Sequence, residues 1–321
     1  MTSLGKERPA MITQQEEKIV LLKDILKNCV LCPRQCRVDR TRGELGYCGL
    51  PAEIVMDCAL AHHGEEPPLS GTKGAGTIFL SSCNLLCIYC QNYQIAHCAQ
   101  GKRLSPAQLA DVMLNLQAVQ CHNIEPVTPT SQVPLLIEAL ISARQRNLKI
   151  PFVYNCGGYE NPDIIRLLAG FVDIYLPDFK YGREDDAVSF SCAPGYPRFA
   201  MDSIKEMVRQ VGDELILKDG VAQKGIIIRH LVLPNRVKNS LAVLNFIKKE
   251  ISTSVSLSLM AQYTPTVKVR HHPVLGRRIT PREYRQVVDH ALDLGFKNLF
   301  IQEVNDFEMT PNFDSDRPFS R

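Results

Sequence analysis

From residue 76 onward, short apolar runs alternate with longer mixed stretches. The runs "GTIFLSS", "NIEPVT", "IPFVYN", "VDIYLPDFK", "GIIIRHLVLP", "SVSLSLMAQY" and "KNLFIQ" read as strands. The stretches between them, from "SPAQLADVMLNLQAVQ" to "TPREYRQVVDHALDLG", read as helices. Ser105 suits a cap with Pro106 in the first turn, and Thr280 with Glu283 forms a capping box. Repeated β-α alternation predicts a parallel sheet with helices outside, and six or seven such units favour a barrel or partial barrel. In parallel α/β folds the chemistry gathers at the C-terminal ends of the strands.

The flanks break this rhythm. Residues 1–18 are polar and are expected to be flexible. Residues 19–60 are cysteine-rich without a clear β-α unit, and read as a separate small module. Residues 61–305 carry the barrel, and 306–321 read as an irregular surface tail. Neither a solenoid-spaced repeat nor a low-complexity tract interrupts them.

Composition narrows the setting. The 321 residues are 45% hydrophobic and 22% charged, enough for a large core. A net charge of +3 gives no reason to expect nucleic acid. The first residues contain no apolar secretory core, and no apolar run nears the roughly 20 residues that span a bilayer. A cytoplasmic, membrane-free protein is expected. In such a reducing setting, 12 cysteines point to metal or catalysis rather than disulfides, with Cys58, Cys121 and Cys192 read as small buried hydrophobes.

The densest cluster is "SSCNLLCIYCQNYQIAHC", directly after the first strand. Cys83, Cys87 and Cys90 stand at C-x3-C-x2-C. Structural zinc prefers four ligands, usually as paired C-x2-C knuckles. Three thiolates on a [4Fe–4S] cluster leave one iron open to a substrate. Cys98 would close that corner and make a passive electron-transfer centre.

"CNLLCIYC", with Tyr89 before the third cysteine, resembles the signature of radical S-adenosylmethionine (SAM) enzymes. "GTIFLSSCNLLCIYCQNYQIA", "HNIEPVTPT", "IPFVYNCGGYE", "VDIYLPDFKY", "RHLVLP" and "MAQYTP" together resemble the pyruvate formate-lyase activating enzyme-related branch, over roughly residues 28–305. The resemblance implies a partial parallel (β/α)6-type barrel. It also implies a [4Fe–4S] cluster whose open iron chelates SAM, cleaved reductively to a 5′-deoxyadenosyl radical. By the same analogy the partners are a glycyl-radical enzyme as substrate and flavodoxin or ferredoxin as electron donor. Radical modification of another protein or a small molecule is the alternative, and a non-catalytic metal-stapled binding or electron-transfer protein is the alternative outside enzymes.

Further residues take roles from this frame. Tyr89 suits packing on adenine, or the core, and Asn92 a hydrogen bond to the cofactor. Gly157 and Gly158 permit close backbone approach to a ligand. Arg229 interrupts an apolar strand and needs a partner, for which the cofactor carboxylate is suited. Asp178 and Lys180 resemble the D-x-K of the activating enzymes, with an internal salt bridge as the alternative. Two departures stand out. Where the activating enzymes carry G-G-E, this chain reads "VTPTSQ", leaving Thr128 and Thr130 as available oxygens, and Ser82 stands where Gly is usual.

Cys29, Cys32, Cys36 and Cys48 stand at C-x2-C-x3-C-x11-C and read as a second metal site, either zinc or iron–sulfur. Arg34, Arg37, Arg40 and Arg42 make this stretch basic, but no interleaved aromatics suggest base stacking.

Overall fold

The computed structural model describes residues 14–305, 310–315 and 318–319. Its ten strands are β1 (Ile54–His62), β2 (Ala75–Leu80), β3 (Lys102–Leu104), β4 (Ile124–Val127), β5 (Val153–Cys156), β6 (Ile174–Pro177), β7 (Ile216–Lys218), β8 (Val221–Leu231), β9 (Ser256–Met260) and β10 (Leu299–Ile301). They form one sheet in the order β10-β9-β8-β6-β5-β4-β2-β1-β3, with β7 paired to β8 as a hairpin. The seven strands expected from the apolar runs are β2, β4, β5, β6, β8, β9 and β10, and all their mutual pairings are parallel. Among the described residues β10 and β3 end the strand path without pairing to each other, so the barrel is partial. Its inner strands are buried along their whole length, as strands covered on both faces require.

The helices expected between these strands form as Pro106–Ala118, Val133–Gln145, Pro162–Leu167, Tyr196–Val211, Val237–Glu250 and Pro281–Asp293. Both predicted caps are present. Ser105 accepts from the Gln108 amide, and Thr280 from the Glu283 amide, each in a reciprocal capping box.

The flanks depart from the sequence reading in three places. Residues 14–18, expected to be flexible, open a helix over Gln14–Asp24; residues 1–13 lie outside the described part. The cysteine-rich segment is not separate from the barrel. Leu22, Leu26 and Leu31 enter the same apolar core as Leu136 and Leu140 of the barrel's outer layer. The expected boundary at residue 60 also falls inside β1, which pairs antiparallel with β2 from Met56 opposite Leu80 to His62 opposite Ala75. An added antiparallel strand covers an otherwise open sheet edge, and it breaks the β-α rhythm that sequence reading relied on. The third departure is the β7–β8 hairpin, whose Asp219-Gly220 turn has φ of 52° and 79°, suited to a two-residue turn.

Candidate active site

The three-cysteine loop follows β2 and leaves the sheet through Ser82, whose φ is 74°. Its course is fixed by backbone bonds. The Ser82 amide donates to Ile95 O (2.9 Å), the Ile88 amide to Phe190 O (2.9 Å), and the Cys90 amide to Cys87 O (3.1 Å). Gly157 makes room for it, since a side chain there would strike Leu85 Cδ1 at 2.8 Å. Cys83 Sγ accepts from the Leu85 amide at 3.3 Å, and Cys87 Sγ from the Ser191 hydroxyl at 2.9 Å. Burial pushes the Cys83 thiol up to about 11 and the Cys90 thiol higher still, so both are neutral until a cation favours the thiolate.

A cavity of about 570 Å³ opens over this loop at the C-terminal ends of the parallel strands. That volume suits a cofactor-sized ligand. Cys83, Cys87 and Cys90 line it, as do Tyr89, Asn92, Thr128, Gly157, Asp178, Lys180 and Arg229. Five scattered stretches of sequence are thus brought to one space. Asn92 Oδ1 and Thr264 Oγ1 are buried there without a hydrogen-bond partner among the described residues. Buried polar atoms without partners are rare, and in a ligand-sized cavity such atoms are suited to a bound group.

Several residues take particular roles. Tyr89 is buried, receives a hydrogen bond from the Tyr181 hydroxyl (2.9 Å) and turns its ring edge-on to Tyr263. Lys180 Nζ stands 2.5 Å from Asp178 Oδ2. Burial would lower the lysine's pKa, but Asp178 together with Tyr89, Cys87 and Tyr196 outweighs it and holds the ammonium charged. Thr128 has φ of 59°, and its amide donates to Asn155 O (2.9 Å).

Three expectations are corrected. Arg229 is already paired within the chain. Its Nη2 donates to Glu65 and, at 2.5 Å, to Glu66, while Nε donates to Glu66 Oε1 at 2.9 Å. The need of a buried guanidinium for a partner was foreseen, but the partners come from "HHGEEPP", a stretch sequence reading passed over. Gly158 does not face the cavity; its φ is 79°, and a side chain there would meet Asp178 O at 2.0 Å, so the close approach it permits is to backbone. Thr130 is also spoken for, because its hydroxyl donates to Glu160 Oε1 at 2.7 Å. Burial raises that carboxyl to about 7, and Tyr154 shares it at 3.2 Å. Cys98, the other candidate ligand, donates instead to Gln94 O at 3.0 Å.

Sequence reading missed the tail's part in the cavity. Phe319 and Thr310 line it from the C-terminal tail, and Phe319 packs on His62 and Phe79 with ring centroids 4.3 and 5.3 Å apart. Gln94, just beyond the cysteine loop, ties the tail down through Asn312, Phe313 and Asp314. Its position after the loop was legible in the sequence, but nothing local signals a partner more than 200 residues away.

Cys29, Cys32, Cys36 and Cys48 surround a second, much smaller space of about 20 Å³. All twelve cysteines are free. Cys192, read as buried, is exposed at the end of the helix over Glu184–Ser191. It caps that helix in a left-handed conformation, which places it at the surface.

An open parallel α/β barrel with a cysteine-bearing loop at the C-terminal end of its first parallel strand defines the class of this protein. No family model matches the chain. The chain is 30% identical over 289 residues to uncharacterized protein MJ0674 of Methanocaldococcus jannaschii, covering 87% of this chain and 78% of that protein, and it belongs to the same family. Among solved structures it is similar to Streptococcus suis SuiB bound to S-adenosylmethionine, with a TM-score of 0.49 and 11% identity over 69% of this chain. It is also similar to methylornithine synthase (PylB), with a TM-score of 0.47, 10% identity and 88% of this chain covered, against 73% of that one. A third is native anSMEcpe with bound AdoMet, with a TM-score of 0.45 and 13% identity over 66% of this chain and 57% of that one. The chain spans about half the length of SuiB (48%). The barrel assignment rests on the strand order above rather than on these likenesses.

Proposed function

We propose that this protein is a radical SAM enzyme. The observation that carries the reading is the meeting of Cys83, Cys87 and Cys90 with an unpartnered Asn92 Oδ1 in one ligand-sized cavity. When bound, a [4Fe–4S] cluster with SAM supplies reductive cleavage of the sulfonium and a 5′-deoxyadenosyl radical. The three thiols hold the cluster. Asn92 Oδ1 accepts from a cofactor N–H or O–H group, and Tyr89 offers a fixed aromatic edge. The Asp178–Lys180 pair presents one charge of each sign to a zwitterionic ligand. Phe319 of the tail adds an apolar wall to the space beside the loop.

On the finer question, the motif resemblance supports activation of a glycyl-radical enzyme, with flavodoxin or ferredoxin as electron donor. Radical chemistry on a small molecule is the second reading. The presence of Phe319 and Thr310 in the cavity lining favours it, because they occupy part of the space beside the loop that a polypeptide would need. Anaerobic reconstitution followed by assay for 5′-deoxyadenosine tests the first statement. Cleavage that is lost in Cys87→Ala and weakened in Asn92→Ala is expected. A reconstituted protein that binds iron but never cleaves SAM would sink it.

A further inference from the structure

The four N-terminal cysteines lie outside the cavity of the proposed reaction, yet they surround a space of their own. Cys29, Cys32, Cys36 and Cys48 line an enclosed volume of about 20 Å³, little more than one water-sized centre occupies. Four thiols around a space of this size suit a single ion in tetrahedral geometry. The backbone is already folded as a ligand turn: the Gln35 amide donates to Cys32 O (3.1 Å), the Arg37 amide to Cys29 O (2.9 Å), and the Tyr47 amide to Cys36 Sγ (3.2 Å). Gly46 seats Cys36, since any side chain at Gly46 would meet Cys36 Sγ at 2.9 Å. Among the described residues the four thiols do not already form an ion-holding group, so binding an ion requires them to move inward.

The residues between these cysteines reach over the three-cysteine loop. The Ser82 hydroxyl donates to Cys48 O. Arg34, between Cys32 and Cys36, donates from Nε to Asn84 O (2.9 Å) and from Nη2 to Ser191 O (3.0 Å). Its guanidinium stacks at 3.7 Å over Tyr47, the neighbour of Cys48. Asn84 in turn lines the small space and donates to Tyr159 O at 2.7 Å. Both residues flanking Cys83 are therefore held by the four-cysteine segment, and Ser191, which bonds Cys87, is held by Arg34.

We infer that Cys29, Cys32, Cys36 and Cys48 bind one thiophilic ion of the zinc class, and that this closed site clamps the loop carrying Cys83, Cys87 and Cys90. Four thiolates match the tetrahedral preference of such an ion. A segment with few large apolar residues gains its rigidity from the metal. The clamp, though not the ion, rests on the proposed cluster.

The ion is tested in the full chain carrying Cys83→Ala, Cys87→Ala and Cys90→Ala together, purified without air and titrated with zinc chloride alone. About one zinc per chain is expected, falling at least tenfold on adding Cys32→Ser or Cys48→Ser. Cobalt in its place should show thiolate charge-transfer absorption. No retained zinc, or iron with labile sulfide in its place, overturns the site. Because that chain lacks the three loop cysteines, this arm stands even if the proposed reaction fails. For the clamp, Ser82→Ala in the reconstituted parent keeps every thiol. It should retain zinc but lose iron to a chelator about tenfold faster, the scale of one lost hydrogen bond. Equal rates in Ser82→Ala and the parent overturn the clamp.

Discussion

Cys83, Cys87 and Cys90 stand at the wall of a cavity of about 570 Å³, whereas Cys29, Cys32, Cys36 and Cys48 enclose about 20 Å³. The two sets are linked by hydrogen bonds from Ser82 to Cys48 O and from Arg34 to Asn84 O. Around the closed set, Arg34 and Asn84 spend their polar groups on neighbouring backbone. Around the open set, Asn92 Oδ1 and Thr264 Oγ1 have no partner among the described residues. The thiol is the same in both, and what differs is the number of ligands and the space beside them. A closed tetrad satisfies an ion and stops, while an open triad leaves a coordination position and the groups to fill it.

The sharpest break between the sets is in iron. Cys87→Ala should abolish the cluster, lowering iron by roughly four per chain. Cys98→Ala should leave iron and sulfide unchanged, because Cys98 turns to the Gln94 carbonyl. Loss of iron in Cys98→Ala would make the open set a closed one and end the comparison.

The open cavity has one region as self-satisfied as the closed site. Arg229 is held by Glu65 and Glu66, all three largely buried. Arg229→Ala leaves two buried carboxylates uncompensated, a change that costs about 3–5 kcal/mol. Urea unfolding should show that loss, and combining Arg229→Met with Glu65→Gln and Glu66→Gln should recover much of it. Full stability in Arg229→Ala, with only SAM affinity reduced, would show that the guanidinium serves a ligand after all.

Sequence reading reached the parallel strands because a strand buried on both faces leaves a continuous apolar run, as in "GTIFLSS". It reached the helix caps for a similar reason, since Ser105 and Thr280 act on amides three residues away. It identified the polar and thiol heart of the cavity lining, with Asp178 and Lys180 found through the resemblance of "LPDFK" to the D-x-K of the activating enzymes. It failed where partners are distant. Arg229 and Glu66 are 163 residues apart, and Gln94 and Phe313 are 219 apart. It also failed where β1 joins the sheet antiparallel, because "IVMDCALAH" lies inside a segment judged by its cysteines.

Glu160 lies between the two regions, bonded to Thr130 on the wall of the small space and to Tyr154 in the core. Burial raises its carboxyl from 4.5 to about 7. The folded state therefore holds a proton that the unfolded state releases. Stability from this group is fully present below pH 4.5 and is lost as pH rises through 7. The whole swing is roughly 3 kcal/mol, at 1.36 kcal/mol per unit. Glu160→Gln should flatten the fall in unfolding free energy between about pH 5 and 7. An unchanged slope in that variant would assign the pH dependence to other groups.

The smallest effect concerns the tail that runs beside the open cavity. Gln94 Nε2 donates to Asn312 Oδ1 at 3.1 Å and to Asp314 Oδ2 at 2.7 Å, and its Oε1 accepts from the Phe313 amide at 3.0 Å. These bonds are exposed or partly so, and each contributes about 0.5–1.5 kcal/mol at most in such a setting. The packing of Phe313 and Phe319 on Phe79 remains without them. Gln94→Ala should therefore leave global unfolding within about 1 kcal/mol of the parent. It should nonetheless speed amide exchange at Phe313 by about tenfold, since local opening there draws on those bonds first. Unchanged exchange at Phe313 would mean that the aromatic contacts alone hold the tail. The tail's place beside the cavity would then depend on Phe79, on the strand that leads into the cysteine loop, rather than on the residue that follows it.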